Sequence, residues 1–330
     1  MNEARPRGVS LQAIQIPVRG KLNDVTRAMG TIVESDLPLV GQVSAHLLAM
    51  RGKMFRPTLL LLSSAVAETP EDKAVTLAAA LELIHLATLV HDDAVDHSAL
   101  RRGMPTVNAL FSHQTSVIMG DFLYSTALTH LVTLGDLEAL QALTRASTEM
   151  SLGEMRQLAV SDPLNFGESE YYDLIRAKTA SLMRTACELG ALSGAREHFA
   201  ALGTFGENLG MAFQITDDLL DYREVQETTG KPSGLDLHEH KVTLPLIHAL
   251  REMPPASRKQ VERLFGSENA GDDEIAKVVQ IVADCGGFDY ARQRGEEFAG
   301  RAHDALSDLP DTVARQSLSA SISYVMERHS

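Results

Sequence analysis

The residues best suited to chemistry are aspartates, and they come in two matched sets. Asp92, Asp93 and Asp96 follow the apolar run Leu86 to Val90, and Asp217, Asp218 and Asp221 follow Met211 to Ile215. Each set reads D-D-x-x-D, and the second begins 125 positions after the first (217 − 92). Carboxylates at i and i+4 leave a helix on one face, one turn apart. Three of them on an apolar helix repel one another and lose hydration. Such a set calls for a cation. A hard divalent ion with oxygen ligands, keeping open positions for phosphate oxygens, reads as Mg²⁺. A single acidic cluster is most often a solvated helix face. These two are embedded in apolar helix, where a solvated face would have polar neighbours. Two helices facing each other across a cavity, sharing several Mg²⁺ ions with a diphosphate, fit them better.

Positive side chains recur beside both sets. Lys53 and Arg56 lie in the turn from Gly52 to Pro57, and Arg101 and Arg102 follow the first cluster. Lys178 and Thr179 sit in mid-helix, and Lys231 and Lys241 bracket the loop after the second cluster. Arginine forks match phosphate oxygens, and lysine supplies a point charge. Each alone would read as a surface ion pair; their recurrence points to an anionic substrate. His85, seven residues before Asp92, shares its helix face two turns away. Alone it would read as a satisfied core histidine.

Helices must position these groups, because apolar periodicity is helical almost throughout. Helices are expected over Asn23 to Glu34, Leu39 to Met50, Thr58 to Ala67, and from a start at Thr69-Pro70 to about Asp96. Further helices are expected through Gly120-Asp121-Phe122, over Leu137 to Leu158, Ser169 to Leu192 and Glu197 to Tyr222, and from Val242 onward. No convincing strand alternation is present, so the fold class is all-α. Residues 1–20 read as a loose arm and 21–330 as a single domain.

Composition narrows the function. A formal charge of −14 argues against nucleic acid as a partner, since that needs a basic surface. Cys187 and Cys285 lack the spacing of a zinc site or disulfide framework and suit a reducing cytoplasm. Ala74 to Val90 is long enough to suggest a membrane span, but Glu82 and His85 interrupt it, so a buried core helix is expected and no transmembrane segment.

Seven motifs occur in order: G-K-x-x-R-P at 52–57, D-D-x-x-D with R-R-G-x-P-T at 92–106, G-D-F-L at 120–123, K-T at 178–179, F-Q-x-x-D-D-x-x-D at 213–221, G-K at 230–231, and D-L-x-x-x-K-x-T-L-P at 236–245. Together they resemble the trans-isoprenyl diphosphate synthases, the polyprenyl synthetase family, with wording closest to long-chain, octaprenyl-type bacterial enzymes. The resemblance implies an isoprenoid-synthase-type helical bundle around a deep central cavity, usually a homodimer. It implies that Asp92, Asp96 and Asp217 ligate Mg²⁺, with Asp93, Asp218 and Asp221 in support. Arg101, Lys178, Thr179, Gln214, Lys231 and Lys241 would bind an allylic diphosphate, with Arg101 and Lys178 counted among the catalytic groups. Lys53, Arg56, His85 and Arg102 would bind isopentenyl diphosphate. His91 and His97 are read as structural, or as support for the site.

The implied reaction is head-to-tail condensation through an allylic carbocation. Ala87 and Thr88, one turn before Asp92, are small. An open tunnel and a long product are therefore expected, with Met119, Phe122 and Met155 as other candidate plugs. The alternatives are a short-chain (farnesyl or geranylgeranyl) synthase, a non-catalytic subunit of a heteromeric synthase, a terpene cyclase, and a His-Asp metal phosphohydrolase. The last leaves the second cluster and the arginine pair unexplained.

Overall fold

The computed structural model describes residues 9–50, 52–67, 72–223, 234–267 and 270–328. In chain order the helices are α1 (Leu11–Gln15), α2 (Arg19–Ile32), α3 (Pro38–Ala49), α4 (Phe55–Ser64) and α5 (Lys73–Val95). A hairpin of two-residue strands follows, β1 (Leu100–Arg101) and β2 (Met104–Pro105). Then come α6 (Val107–Leu110), α7 (His113–Thr133), α8 (Leu137–Leu158) and α9 (Glu168–Ile175). A π turn (Arg176–Ala180) leads directly into α10 (Ser181–Leu192) and then α11 (Phe199–Arg223). The chain ends with α12 (Leu235–His238), α13 (Leu244–Glu252), α14 (Pro255–Phe265), α15 (Asp272–Asp284), α16 (Gly287–Ala305) and α17 (Val313–Met326). The expected helix start at Thr69-Pro70 lies outside the described residues.

Two helices form the axis of the bundle. α5 is apolar on nearly all sides, which only a central helix tolerates. It packs against α2, α4, α7 and α10, and Leu77, Leu81 and Ile84 have no accessible surface. Among the described residues α5 is the one helix long and apolar enough to cross a membrane, and most of it is buried inside the bundle. α11 packs against α10, α16 and α17. Both acidic clusters fall in the last turns of these two helices. A helix C-terminus already carries partial negative charge, so the backbone sharpens the need for a cation there.

The N-terminal arm differs from the expectation. From Leu11 it is helical, Ser10 caps α1 through the amide of Ala13, and Ile14 and Val18 are buried. The Gln15 amide donates to the Lys53 carbonyl at 2.9 Å and to the Thr58 hydroxyl at 3.0 Å, stitching this segment to the basic turn. A helix of five residues shows too little periodicity to be read locally; distant partners stabilise it.

Candidate active site

The hairpin after α5 explains the motif R-R-G-x-P-T. Its two turn residues, Arg102 (φ 53°) and Gly103 (φ 75°), both adopt left-handed backbone, the signature of a two-residue type I′ hairpin. Glycine takes this conformation freely, whereas Arg102 is held in it by its contacts. Thr106 closes the motif by donating its hydroxyl to the Ser98 carbonyl at 2.7 Å and capping α6. The two arginines then do different things. Arg101 Nε donates to both oxygens of Asp93 at 2.9 Å. Arg102 donates to the Met50 carbonyl at 3.0 Å and lies across Gly52, where a Cβ would stand 2.6 Å from its guanidinium. Gly52 of the motif G-K-x-x-R-P therefore leaves room for Arg102.

Asp93 is buried and serves Arg101, while Asp96 is exposed at the helix end. Burial pushes the Asp92 carboxyl up to about 6. Glu154 and Asp96 add to this, and Lys178 and Arg101 oppose it. An anion so poorly compensated is poised for a cation. Beside it, the His91 ring packs on Gly120, where a Cβ would stand only 2.2 Å from Nε2, and meets the Val117 carbonyl at 3.1 Å. The glycine of G-D-F-L thus makes room for a structural histidine, as expected for His91. His97 packs its ring against His113.

The basic turn meets α5 at His85. Arg56 NH1 donates to His85 Nε2 at 2.9 Å. Burial, then Arg56, Arg102 and Arg101, push His85 well below its ordinary value, so it is neutral and able to accept. Lys53 is exposed on the same turn. Phe55, a position that the motif leaves variable, stacks on Phe213 at 6.1 Å and meets the Tyr324 ring at a tilt at 5.7 Å. Aromatic contact thereby joins the basic turn to α11, which carries the second cluster.

The second cluster divides in the same way as the first. Asp217 is exposed, with Arg328 at 3.3 Å. Asp218 is buried and accepts from Tyr171 at 2.6 Å and from Gln214 at 2.8 Å. Burial, reinforced by Asp236, pushes its carboxyl well upward. The Gln214 oxygen in turn accepts from Thr179 at 2.7 Å. Thr179, Gln214, Asp218 and Tyr171 therefore form one chain of hydrogen bonds. The expected substrate donors Thr179 and Gln214 thereby tie the π turn and α9 to α11, with Asp218 in its expected supporting place. Asp221 accepts from the backbone amide of Asp236 at 3.1 Å.

The lysines line one mouth of the site. A cavity of about 410 Å³ lies beside the π turn, lined by Lys178, Thr179, Gln214, Asp218, Asp236 and Lys241 among others. Lys178 pairs with Glu154 at 2.6 Å. Lys241 bonds Glu239; burial works against its charge, but Glu239, Asp236 and Asp96 hold it above its ordinary value. Lys241 thus feels the first acidic cluster through Asp96, together with its own neighbours Glu239 and Asp236. Lys231 lies outside the described residues. Tyr171, Asp236, Glu82 and Glu154 are not among the site residues expected from sequence. Asp236 falls inside a quoted motif and Glu82 interrupts an apolar run, whereas Tyr171 and Glu154 carry no signal.

The chain-length positions separate. Ala87 has no accessible surface, whereas Thr88 is partly accessible, with its hydroxyl donated to the His85 carbonyl at 2.7 Å. Of the two expected tunnel positions, the fully packed one is Ala87. It stands five residues before Asp92, off the face that Thr88 and Asp92 share at i and i+4. Of the other candidate plugs, Met119 is buried, Phe122 is half-buried and Met155 is exposed.

Among the described residues, no three acidic, histidine or cysteine side chains converge tightly enough to hold an ion by themselves. Mg²⁺ does not require this, because it is commonly held by one or two carboxylates together with water and substrate phosphates. The under-compensated Asp92, with exposed Asp96 and Asp217 at two helix C-termini, is a donor set of that kind.

An all-α bundle with acidic clusters at the ends of its two axial helices, ringed by arginines and lysines, defines a protein built to grip diphosphate esters. The chain belongs to the polyprenyl synthetase family, whose model matches residues 37–282, and it is a prenyltransferase. It is 38% identical to octaprenyl diphosphate synthase of Escherichia coli over 289 residues, 87% of this chain and 89% of that protein. It is also 38% identical to the geranyl-diphosphate-specific all-trans-nonaprenyl-diphosphate synthase of Rhodobacter capsulatus, over 93% of this chain and 94% of the relative. The crystal structure of a Caulobacter crescentus polyprenyl synthase, complexed with calcium and isoprenyl diphosphate, superposes with a TM-score of 0.92 at 33% identity, covering 99% of this chain and 100% of that one.

Proposed function

We propose that the chain condenses an allylic prenyl diphosphate with isopentenyl diphosphate, head to tail, to give a long all-trans polyprenyl diphosphate, using Mg²⁺. The observation that carries this is the pairing of two acidic clusters with two separate cationic pockets. Arg56 meets His85 and Arg102 lies across Gly52 of the same basic turn, which also carries Lys53, while Lys178 and Lys241 line the cavity beside Asp218. Two cationic pockets suit two diphosphates. The octaprenyl and nonaprenyl relatives support the long product.

Asp92, Asp96 and Asp217 would hold the metal, which when bound supplies charge neutralisation for the leaving diphosphate. The protein's own residues do the rest. Lys178 and Lys241, with Arg101 fixed by Asp93, place positive charge where the departing diphosphate gathers negative charge as the allylic C–O bond ionises. Lys53, Arg56, Arg102 and neutral His85 hold isopentenyl diphosphate so that its double bond meets the carbocation. A new C–C bond forms and a proton leaves; the released diphosphate is the base at hand. Thr88 leaves the path below the aspartates open to the growing chain.

A homodimer is part of this proposal. Ile118, Val132, Leu152 and Met155 on α7 and α8 are 51–66% exposed, an apolar face of the kind that a second copy covers. The cytoplasm suits the two free cysteines. The test uses the purified chain with Mg²⁺, farnesyl diphosphate and isopentenyl diphosphate, and mass spectrometry of the products. Products of more than four isoprene units are expected. Products stopping at four or fewer would support a short-chain synthase, and none at all a non-catalytic subunit.

A further inference from the structure

One charged residue near the site is explained neither by metal nor by diphosphate. Glu82 lies on α5 one turn before His85, farther from the aspartates along the helix. It is only 7% exposed, and its Oε2 has no hydrogen-bond partner. Burying a carboxylate is costly unless a charge compensates it. The compensation comes from Arg56 first and then Arg102, against a burial that otherwise raises the carboxyl. Seen from the other side, Glu82 is the foremost opposite charge acting on Arg56, and it is the carboxylate that acts on Arg102. Arg56 Nε is itself buried without a partner, although NH1 is fixed on His85.

The two arginines repel each other; His85 and the Met50 carbonyl fix one group of each, but both are neutral and leave the repulsion uncompensated. Asp217 also acts on Arg56, but in the proposed reaction Asp217 serves the metal. Glu82 is left. We propose that Glu82 is a positioning residue of the isopentenyl diphosphate pocket: its carboxylate is the buried counter-charge that keeps Arg56 and Arg102 converged before substrate arrives. This rests on the reading that the pocket takes isopentenyl diphosphate. Glu82 lies beyond His85 from the metal clusters, so it backs the arginines rather than competing for the substrate.

The test is steady-state kinetics on Glu82→Gln, an isosteric loss of charge, with each substrate varied in turn. The KM for isopentenyl diphosphate should rise about tenfold, with the KM for the allylic diphosphate within about twofold of wild type. The effect should shrink in an Arg56→Met background, because Glu82 acts through Arg56. A folded Glu82→Gln with an unchanged isopentenyl diphosphate KM overturns the proposal, even if its melting temperature falls, since a purely structural glutamate would do that. If Glu82→Gln does not fold, Glu82→Asp replaces it, keeping the charge but withdrawing it by one methylene. A selective rise in the same KM of about threefold or more then sustains the proposal, and no rise overturns it. Arg102→Met separates the two readings. If it leaves the isopentenyl diphosphate KM unchanged, the pocket assignment itself fails; if it raises that KM while Glu82→Gln does not, only the role of Glu82 fails.

Discussion

Asp92→Asn should make the empty enzyme more stable while stopping its reaction. The carboxyl of Asp92 is raised from its usual 3.8 to about 6, first by burial and then by Glu154 and Asp96. That rise costs the ionised form about 3 kcal/mol in the folded state at neutral pH. Asp92 keeps some solvent contact, so the expected gain on substitution is about 1–3 kcal/mol. The sign follows from linkage. A carboxyl whose folded value lies above its unfolded value destabilises the fold when ionised, and it takes up its proton as pH falls through about 6. The gain from asparagine should therefore be full at pH 8 and nearly gone by about pH 4. For a chain of this size, about 2–4 °C per kcal/mol places the melting temperature of Asp92→Asn several degrees above wild type at pH 8. Differential scanning fluorimetry across pH measures it. A variant no more stable than wild type at pH 8, or equally stabilised at pH 8 and pH 4, would refute the reasoning. Adding Mg²⁺ with inorganic diphosphate should stabilise wild type more than the variant.

Other outcomes follow from packing and hydrogen bonding. Gly120→Ala places a Cβ 2.2 Å from His91 Nε2, so the ring must swing away from the Val117 carbonyl. A loss of about 1–3 kcal/mol on unfolding, with reduced turnover because Asp92 is the next residue, is expected; an unperturbed variant would show that the ring is free to move. Tyr171→Phe leaves Asp218 without its 2.6 Å donor and should cost about 1–3 kcal/mol by urea denaturation. Thr88→Phe should shorten the product seen by mass spectrometry. Ala87→Phe should chiefly destabilise, by about 1–3 kcal/mol, because that site is fully packed. The reverse pattern would make Ala87, and not Thr88, the tunnel wall.

Much of this was legible because it is local. Each acidic cluster announced itself by its spacing, and α8 over Leu137–Leu158 was marked by periodicity alone. The break at Gly103 was visible, but not that Arg102 would share its left-handed backbone and send the two arginines to different partners. The π turn over Arg176–Ala180 was hidden within a continuous helical pattern. Tyr171, far from Asp218 in sequence, gave no sign of their bond. Ala87 and Thr88 are adjacent small residues, and only the direction of each side chain in the packed bundle distinguishes them. Glu82 read as an interruption in an apolar run; its meaning lies in Arg56 and Arg102, which come from other parts of the chain.

The central claim is a two-sided clamp, with α5 and α11 closing on one diphosphate. The direct measurement is a crystal structure of the enzyme with Mg²⁺ and farnesyl thiolodiphosphate, which resists ionisation. The account predicts Mg²⁺ ions held by Asp92 and Asp96 on one side and by Asp217 on the other, bridged by the same diphosphate. Metal on a single cluster, or a diphosphate bound away from both, would contradict it.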